Sequence, residues 1–167
     1  MPMPMQRRGL LIAALGNALG GCGFELRRAP ELKFRTVQLL GFAAHSPLAN
    51  ELRMNIDASA GTKVVEPPAA AEVVLEALSD SHDKGVVAST SAGQVREIQV
   101  RAQFNFRLRT LAGKVLIPPT LIALSRELSY SEDVALAKEQ EEALLYRAMQ
   151  TDIVSQVMRR LAAVSSV

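Results

Sequence analysis

Arg101, Arg107 and Arg109 stand an even number of residues apart in a stretch that alternates apolar and polar side chains. On a strand that spacing sends all three to one side. Guanidinium groups bind phosphate through charge-assisted, often bidentate hydrogen bonds, so anion recognition is the chemistry this pattern offers. A solvated sheet face, or an edge guarded by charge against aggregation, uses the same residues, and both readings stand. Catalysis finds less support. His45 and His82 both lie in or beside loop-like sequence. Asp80, His82 and Asp83 lack the spaced partners of a coordination shell. Glu139, Glu141 and Glu142 read as a solvated helix face, because helix neighbours one apart do not face each other. No Gly-rich phosphate loop and no nucleophile–base pair stands out. The expectation is a non-enzymatic chain with no metal and no cofactor, a small hydrolase ranking last.

Cys22 is the single cysteine. Arg7 and Arg8 precede an apolar run from Gly9 to Leu19, and small residues follow, which is the layout of an export signal. The run is shorter than the roughly 20 apolar residues that cross a bilayer. Leu19-Gly20-Gly21-Cys22 resembles the lipobox of bacterial lipoproteins, where cleavage falls just before a lipidated Cys. An ordinary signal with a small apolar Cys near its end is the plainer alternative. A lone thiol has no partner for an internal disulfide and is a liability in an oxidising compartment; lipidation accounts for it. Residues 1–21 are therefore read as a signal peptide and 22–167 as one lipoprotein domain anchored at Cys22. Two or three acyl chains on one Cys would hold almost permanently, whereas a single chain binds marginally. Gly23 follows the Cys, not the Asp that in similar lipoproteins favours the inner membrane. The expected location is the periplasmic side of the outer membrane.

All 17 acidic residues follow Cys22, while Arg7 and Arg8 leave with the signal, so the mature chain is formally neutral. Bulk nucleic-acid binding is not supported. Charge is nonetheless segregated. Glu66, Glu72, Glu76, Asp80 and Asp83 fall in a segment without Lys or Arg, and Arg96, Arg101, Arg107, Arg109 and Lys114 follow with only Glu97 against them.

These residues need elements to hold them. Phe34 to Leu40 predicts a strand ended by Gly41. Ser46-Pro47 predicts a helix start, with Leu48, Leu52 and Ile56 at four-residue spacing and Gly61 as its stop. Pro67-Pro68 break the chain, and Glu72 to His82 reads as a second strand with Val73, Leu75 and Ala77 on one face. Gly85 to Gly93 reads as a loop. From Ile98 to Arg109 strict alternation predicts a long strand with one apolar and one polar face. A turn at 111–114 returns it antiparallel, with Ile122, Leu124, Leu128 and Tyr130 sharing a face and Pro118-Pro119 confined to an edge or bulge. Ser131 then caps a helix from Asp133 to Ala163, striped by Leu145, Met149, Ile153, Val157 and Leu161. At 1.5 Å per residue it runs roughly 45 Å, so it either bends or projects beyond the sheet. The fold class is α+β: an α/β sandwich with two helices on one face of a four-stranded mixed sheet, the polar side of the long strand left open.

Cys22-Gly23-Phe24-Glu25-Leu26-Arg27 resembles the mature start of the LptE family of lipopolysaccharide-assembly lipoproteins, with Glu25 in place of the usual His. Gly93-Gln94, Arg96-Glu97, the Ile117-Pro118 turn exit and Ala135-Leu136-Ala137-Lys138 followed by acids are similar to that family in the same order. The resemblance implies two helices on a four-stranded sheet, and a non-enzymatic plug that assists assembly of the outer-membrane barrel LptD. It also implies binding of lipopolysaccharide during its insertion into the outer leaflet. It places Lys138 where the family carries a Lys linked to lipopolysaccharide. Ser91 occupies the place of an Arg that members carry before the Gly-Gln turn, which leaves Arg96, Arg101 or Arg107 to supply positive charge. The alternative is a structural periplasmic lipoprotein contacting peptidoglycan or another envelope complex.

Overall fold

The computed structural model describes residues 30–66 and 71–165. The expected signal peptide, Cys22 and the Pro67-Pro68 break lie outside them. In chain order the elements are β1 (Thr36–Leu40), α1 (Pro47–Asp57), β2 (Lys63–Val64), β3 (Val73–Ser89), β4 (Val95–Thr110), β5 (Val115–Ser129), a 3-10 turn (Glu132–Val134) and α2 (Ala135–Ala162). The strands form one mixed sheet in the order β2-β1-β3-β4-β5, with β1 parallel to both its neighbours and the remaining pairs antiparallel. The α+β class and the two helices on one sheet face are as expected, but there are five strands among the described residues where four were expected. The extra strand, β2, is two residues long, too short for alternation to reveal it. Tertiary bonds hold it: the Lys63 N–H donates to the Arg35 carbonyl and the Thr62 hydroxyl to the Phe34 carbonyl.

The core lies between the sheet and the helices. Val100, Ala102, Phe104, Phe106 and Leu108 of β4 are all fully buried, joined by Val37, Val73 and Leu75 from the neighbouring strands. Phe104 stacks between Phe42 and Phe106, with ring centroids 5.8 and 5.5 Å away. Leu48, Leu52 and Ile56 of α1 and Met149, Ile153, Val157 and Leu161 of α2 close this layer. Glu51 of α1 accepts from the Gln150 amide at 2.6 Å and the Thr151 hydroxyl at 2.8 Å, tying the helices together.

Two helix boundaries differ from expectation. Ser46 caps α1 as predicted, its hydroxyl accepting from the Ala49 N–H at 3.2 Å. The helix ends at Asp57, however, and Gly61 belongs to the turn into β2 at a φ of 81°. Ser131 makes no side-chain cap; the tighter 3-10 turn intervenes before α2. That helix is unbroken over 28 residues, about 42 Å. Its buried residues run from Met149 to Leu161 only, so the N-terminal half extends beyond the packed core, the second of the two expected outcomes.

The region read as a loop from Gly85 is strand as far as Ser89. It pairs with β4 and ends in a turn, Thr90-Ser91-Ala92-Gly93-Gln94, whose chemistry recurs in Thr110-Leu111-Ala112-Gly113-Lys114. In each, the Gly N–H donates to the Thr carbonyl and the last residue's N–H donates to the Thr hydroxyl. Small and hydroxylated residues disguised the pairing, because their side chains carry no hydrophobic alternation.

Leu78 has no partner on β4: Ala77 pairs with Phe106 and Ser79 with Asn105. This single-residue bulge exchanges the two faces of β3 from that point on. Before it, Val73, Leu75 and Ala77 face the helices. Beyond it, Asp80, His82, Lys84 and Val86 do so, opposite Phe104, Ala102, Val100 and Ile98. On β5, Pro118 and Pro119 lie opposite Arg107 in a second irregularity, on the sheet's edge strand where missing N–H donors cost no ladder bond.

Gly41, at a φ of 80°, sits directly on the Ala77 carbonyl beside the bulge, where an added Cβ would collide with backbone oxygen. Gly41→Ala is therefore expected to destabilise the fold by about 1–3 kcal/mol. Gly85→Ala, where a Cβ meets nothing within 4 Å, should change the urea midpoint little. Equal midpoints for the two variants would contradict the close approach.

Candidate functional site

The bulge decides which charges meet. On the open sheet face, opposite the helices, Glu76 of β3 receives two arginines of β4. Its carboxylate lies 2.8 Å from Arg107 and 3.2 Å from Arg109. Hydrogen bonding to Arg107 is the main force holding the Glu76 carboxyl below the ordinary carboxylate range; burial opposes it, and Arg109 adds to it. Further along, Arg101 lies 3.5 Å from Asp83 and donates to the Gln99 side chain at 2.7 Å. Gln99, Gln103 and Asn105 complete a polar surface on which the sequence-predicted arginines are already matched by acids of β3. The acidic segment and the basic segment noted in the sequence are thus the two strands of one hairpin.

On the helix side of the same hairpin the far end is a groove of about 320 Å³. Val86, Val95, Ile98 and Tyr130 give it apolar walls, and Lys84 and Lys138 stand on it. Lys138, on the first turn of α2, is only 18% exposed; its ammonium donates to the Ser129 hydroxyl at 3.2 Å and to Glu141 at 2.8 Å. Lys84 pairs with Glu142 at 3.0 Å, and that hydrogen bond holds the Lys84 proton more tightly than usual. The Tyr146 hydroxyl donates to the Asp83 carbonyl at 2.8 Å, while the His82 ring meets the Tyr146 ring edge-on at 5.1 Å. Lys84–Glu142 and Tyr146–Asp83 tie the exposed half of α2 to β3, and Lys138–Ser129 ties it to β5. Glu132, Glu139 and Glu142 also line the groove, so its cations come with anionic neighbours.

Of the four cationic residues read from the sequence, Lys138 and Arg96 lie at one end but line different hollows, Arg96's being shared with Glu132 and Asp133. Arg96 lies at the same end as Lys138, its carbonyl accepting from the Tyr130 N–H at 2.8 Å, and among the described residues it makes no ion pair. Arg101 stands further along β4 on the other face, and Arg107 further still, about 36 Å of strand from Arg96. Cys22 lies outside the described residues. Lys84 and Val86 escaped the sequence reading, because the bulge that brings them to the helix side has no sequence signature; Tyr146 of α2 escaped it because its partners, Asp83 and His82, lie on β3. Among the described residues, no group of three or more His, Cys, Asp or Glu is placed to hold a metal ion. No described helix is long and apolar enough to cross a membrane.

The family model described as lipopolysaccharide-assembly, LptE, matches residues 34–161. The chain belongs to the LptE family. Solved structures agree. The chain resembles lipoprotein B from Nitrosomonas europaea at 29% identity and a TM-score of 0.73, covering 84% of this chain and 91% of that one. Rare lipoprotein B from Shewanella oneidensis shares the fold at 21% identity and a TM-score of 0.65, over 77% and 94% of the two chains. A minor lipoprotein from Acinetobacter baumannii does so at 20% identity and the same TM-score, over 79% and 93%. None of the curated proteins matches the chain in sequence. Membership in LptE places the chain among the envelope lipoproteins of lipopolysaccharide transport and assembly, and the Lys138 groove and the arginine-bearing face belong to that fold.

The lowered proton affinity of Glu76 has a pH consequence. A carboxyl held below its unfolded value stabilises the fold fully at neutral pH and loses that contribution as acid protonates it in the folded chain. Glu76→Gln should therefore be less stable than the parent at about pH 7, with the gap closing toward about pH 2. A gap of constant size across an acid titration of the urea midpoint would contradict the ion-pair origin.

Proposed function

We propose that this chain is a lipid-anchored outer-membrane component that plugs and assists assembly of the LptD barrel and binds lipopolysaccharide during its insertion into the outer leaflet. The observation that carries the reading is the match to the lipopolysaccharide-assembly family across nearly the whole described fold. In this reading residues 1–21 are removed, Cys22 carries the acyl chains on the periplasmic side, and 22–167 act without catalysis.

The geometry supports a division of labour. A barrel lumen is polar, and the sheet face of Gln99, Arg101, Gln103, Asn105 and Arg107 offers a matching hydrogen-bonding wall, with exposed Leu121 beside Asn105 on the edge strand. Because Arg101 and Arg107 are matched by Asp83 and Glu76, this wall meets its partner mainly as a polar, near-neutral surface. Lipopolysaccharide presents phosphates beside acyl chains, and the groove presents Lys138 and Lys84 beside Val86, Val95 and Ile98. Lys138–Glu141 and a Lys138–phosphate contact are both charge-assisted hydrogen bonds, so phosphate competes with Glu141 on similar terms. Arg96 adds charge at the same end.

Affinity capture from detergent-solubilised membranes should recover a large barrel protein with the chain. Its absence, or recovery with detergent-resistant cell wall instead, would contradict the reading. Lys138→Asp should weaken lipopolysaccharide binding by about tenfold or more while circular dichroism shows the fold intact; equal affinity would remove Lys138 from the site. Mass spectrometry of the purified chain should show an N-terminus at Cys22 bearing acyl chains, and an unmodified thiol would rule out the anchor.

A further inference from the structure

The opposite end of the molecule holds a second cavity, of about 490 Å³, between the start of β5 and the last turn of α2. Val115, Ile117, Pro118 and Val164 supply apolar walls, and Lys114 and Arg160 supply positive charge. Among the described residues no carboxylate lines it. Among the described residues neither cation has an acid within ion-pair reach. One guanidinium nitrogen of Arg160, Nη1, is buried and finds no acceptor among the described residues. Buried donors without acceptors are rare, and each calls for a ligand or another cause. A cation at a helix C-terminus is ordinary, but that setting leaves a buried Nη1 donor unused.

Strand register fixes where this cavity lies. Thr36, Val73, Thr110 and Val115 all stand at one end of the sheet. The described chain therefore enters the fold at the end where the cavity opens, and the Lys138 groove is the length of β5 away, about 50 Å. If Cys22 is anchored as proposed above, this is the end tethered nearest the bilayer.

We propose that the cavity is a second anion site, distinct from the Lys138 groove, that takes the phosphate of an anionic membrane phospholipid. Arg160 Nη1 and the Lys114 ammonium hold the phosphate, and Val115, Ile117 and Val164 cover the glycerol and the first methylenes of an acyl chain. Free phosphate would satisfy the two cations and leave the apolar walls empty, which favours the lipid. The negative end of α2 opposes an anion here, so both cations are required.

The test is a binding titration on the full processed chain, solubilised, with dihexanoyl-phosphatidylglycerol below its micelle concentration, dihexanoyl-phosphatidylcholine and inorganic phosphate as probes. It does not depend on whether Cys22 carries lipid, so its failure and the failure of the anchoring proposal are separable. The phosphatidylglycerol probe should bind most tightly. Lys114→Gln, on an exposed turn, should weaken it about fivefold, and Lys114→Gln with Arg160→Gln about 25-fold, at roughly a factor of five per cation. Lys84→Gln with Lys138→Gln should bind as the parent does. Equal binding by Lys114→Gln, equal binding of the phosphatidylcholine probe, or inorganic phosphate binding as tightly as the lipid would overturn the proposal.

Discussion

Strands β3 and β4 pair along almost their whole length, and the buried face of β4 fixes where every other apolar group goes. Val100, Ala102, Phe104, Phe106 and Leu108 are fully covered, and a slip of one residue would turn all of them outward. Against that fixed strand, the unpaired Leu78 turns β3 over. On one side of the bulge β3 feeds Val73, Leu75 and Ala77 into the core. On the other it presents Asp80, His82, Lys84 and Val86 to the same helix face. The hairpin therefore changes character halfway, from a core strand pair to a support for polar contacts.

This change gives the molecule two unlike ends. Where β1, β2 and α1 pack, both helices bury apolar residues and Glu51 bridges them. Toward the far tip the fully buried stripe of α2 gives out, and Lys84–Glu142, Lys138–Ser129 and Tyr146–Asp83 tie the helix to the sheet. Contacts of that kind exchange partners at low cost, which suits the lipid exchange proposed for this end. The packed end, by contrast, is suited to holding its shape. The matched arginines of the sheet face follow the same logic: paired with Glu76 and Asp83, they keep a wide surface hydrated without making it strongly cationic.

Much of this was legible in the residues. The period-two run from Ile98 to Arg109 specified β4 and both its faces, because one buried face constrains every second side chain. Ser46-Pro47 specified the start of α1, and Pro118-Pro119 the edge position of β5. What stayed hidden was tertiary in origin. A two-residue strand such as β2 carries no periodicity, Leu78 looks like any other apolar residue until its partner strand is known, and Gly85 to Ser89 pairs through its backbone alone. The candidate site divided along the same line. Lys138 and Arg96 came from an ordered family resemblance, whereas Lys84 needed the bulge and Tyr146 the packing of α2 on β3. The pairing of Arg107 and Arg109 with Glu76 needed the register, although the acidic and basic segments had already been visible as charge blocks.

The central claim is that the lipopolysaccharide contact proposed for this chain falls at the loosely packed end of α2 and not in its core-packed half. Hydrogen–deuterium exchange with and without lipopolysaccharide tests it directly. Amides of 149–161 should exchange slowly in both conditions, while those of 135–146 should exchange quickly alone and be slowed when lipopolysaccharide is added. Uniform protection along α2, or slowing confined to the buried half, would contradict the account.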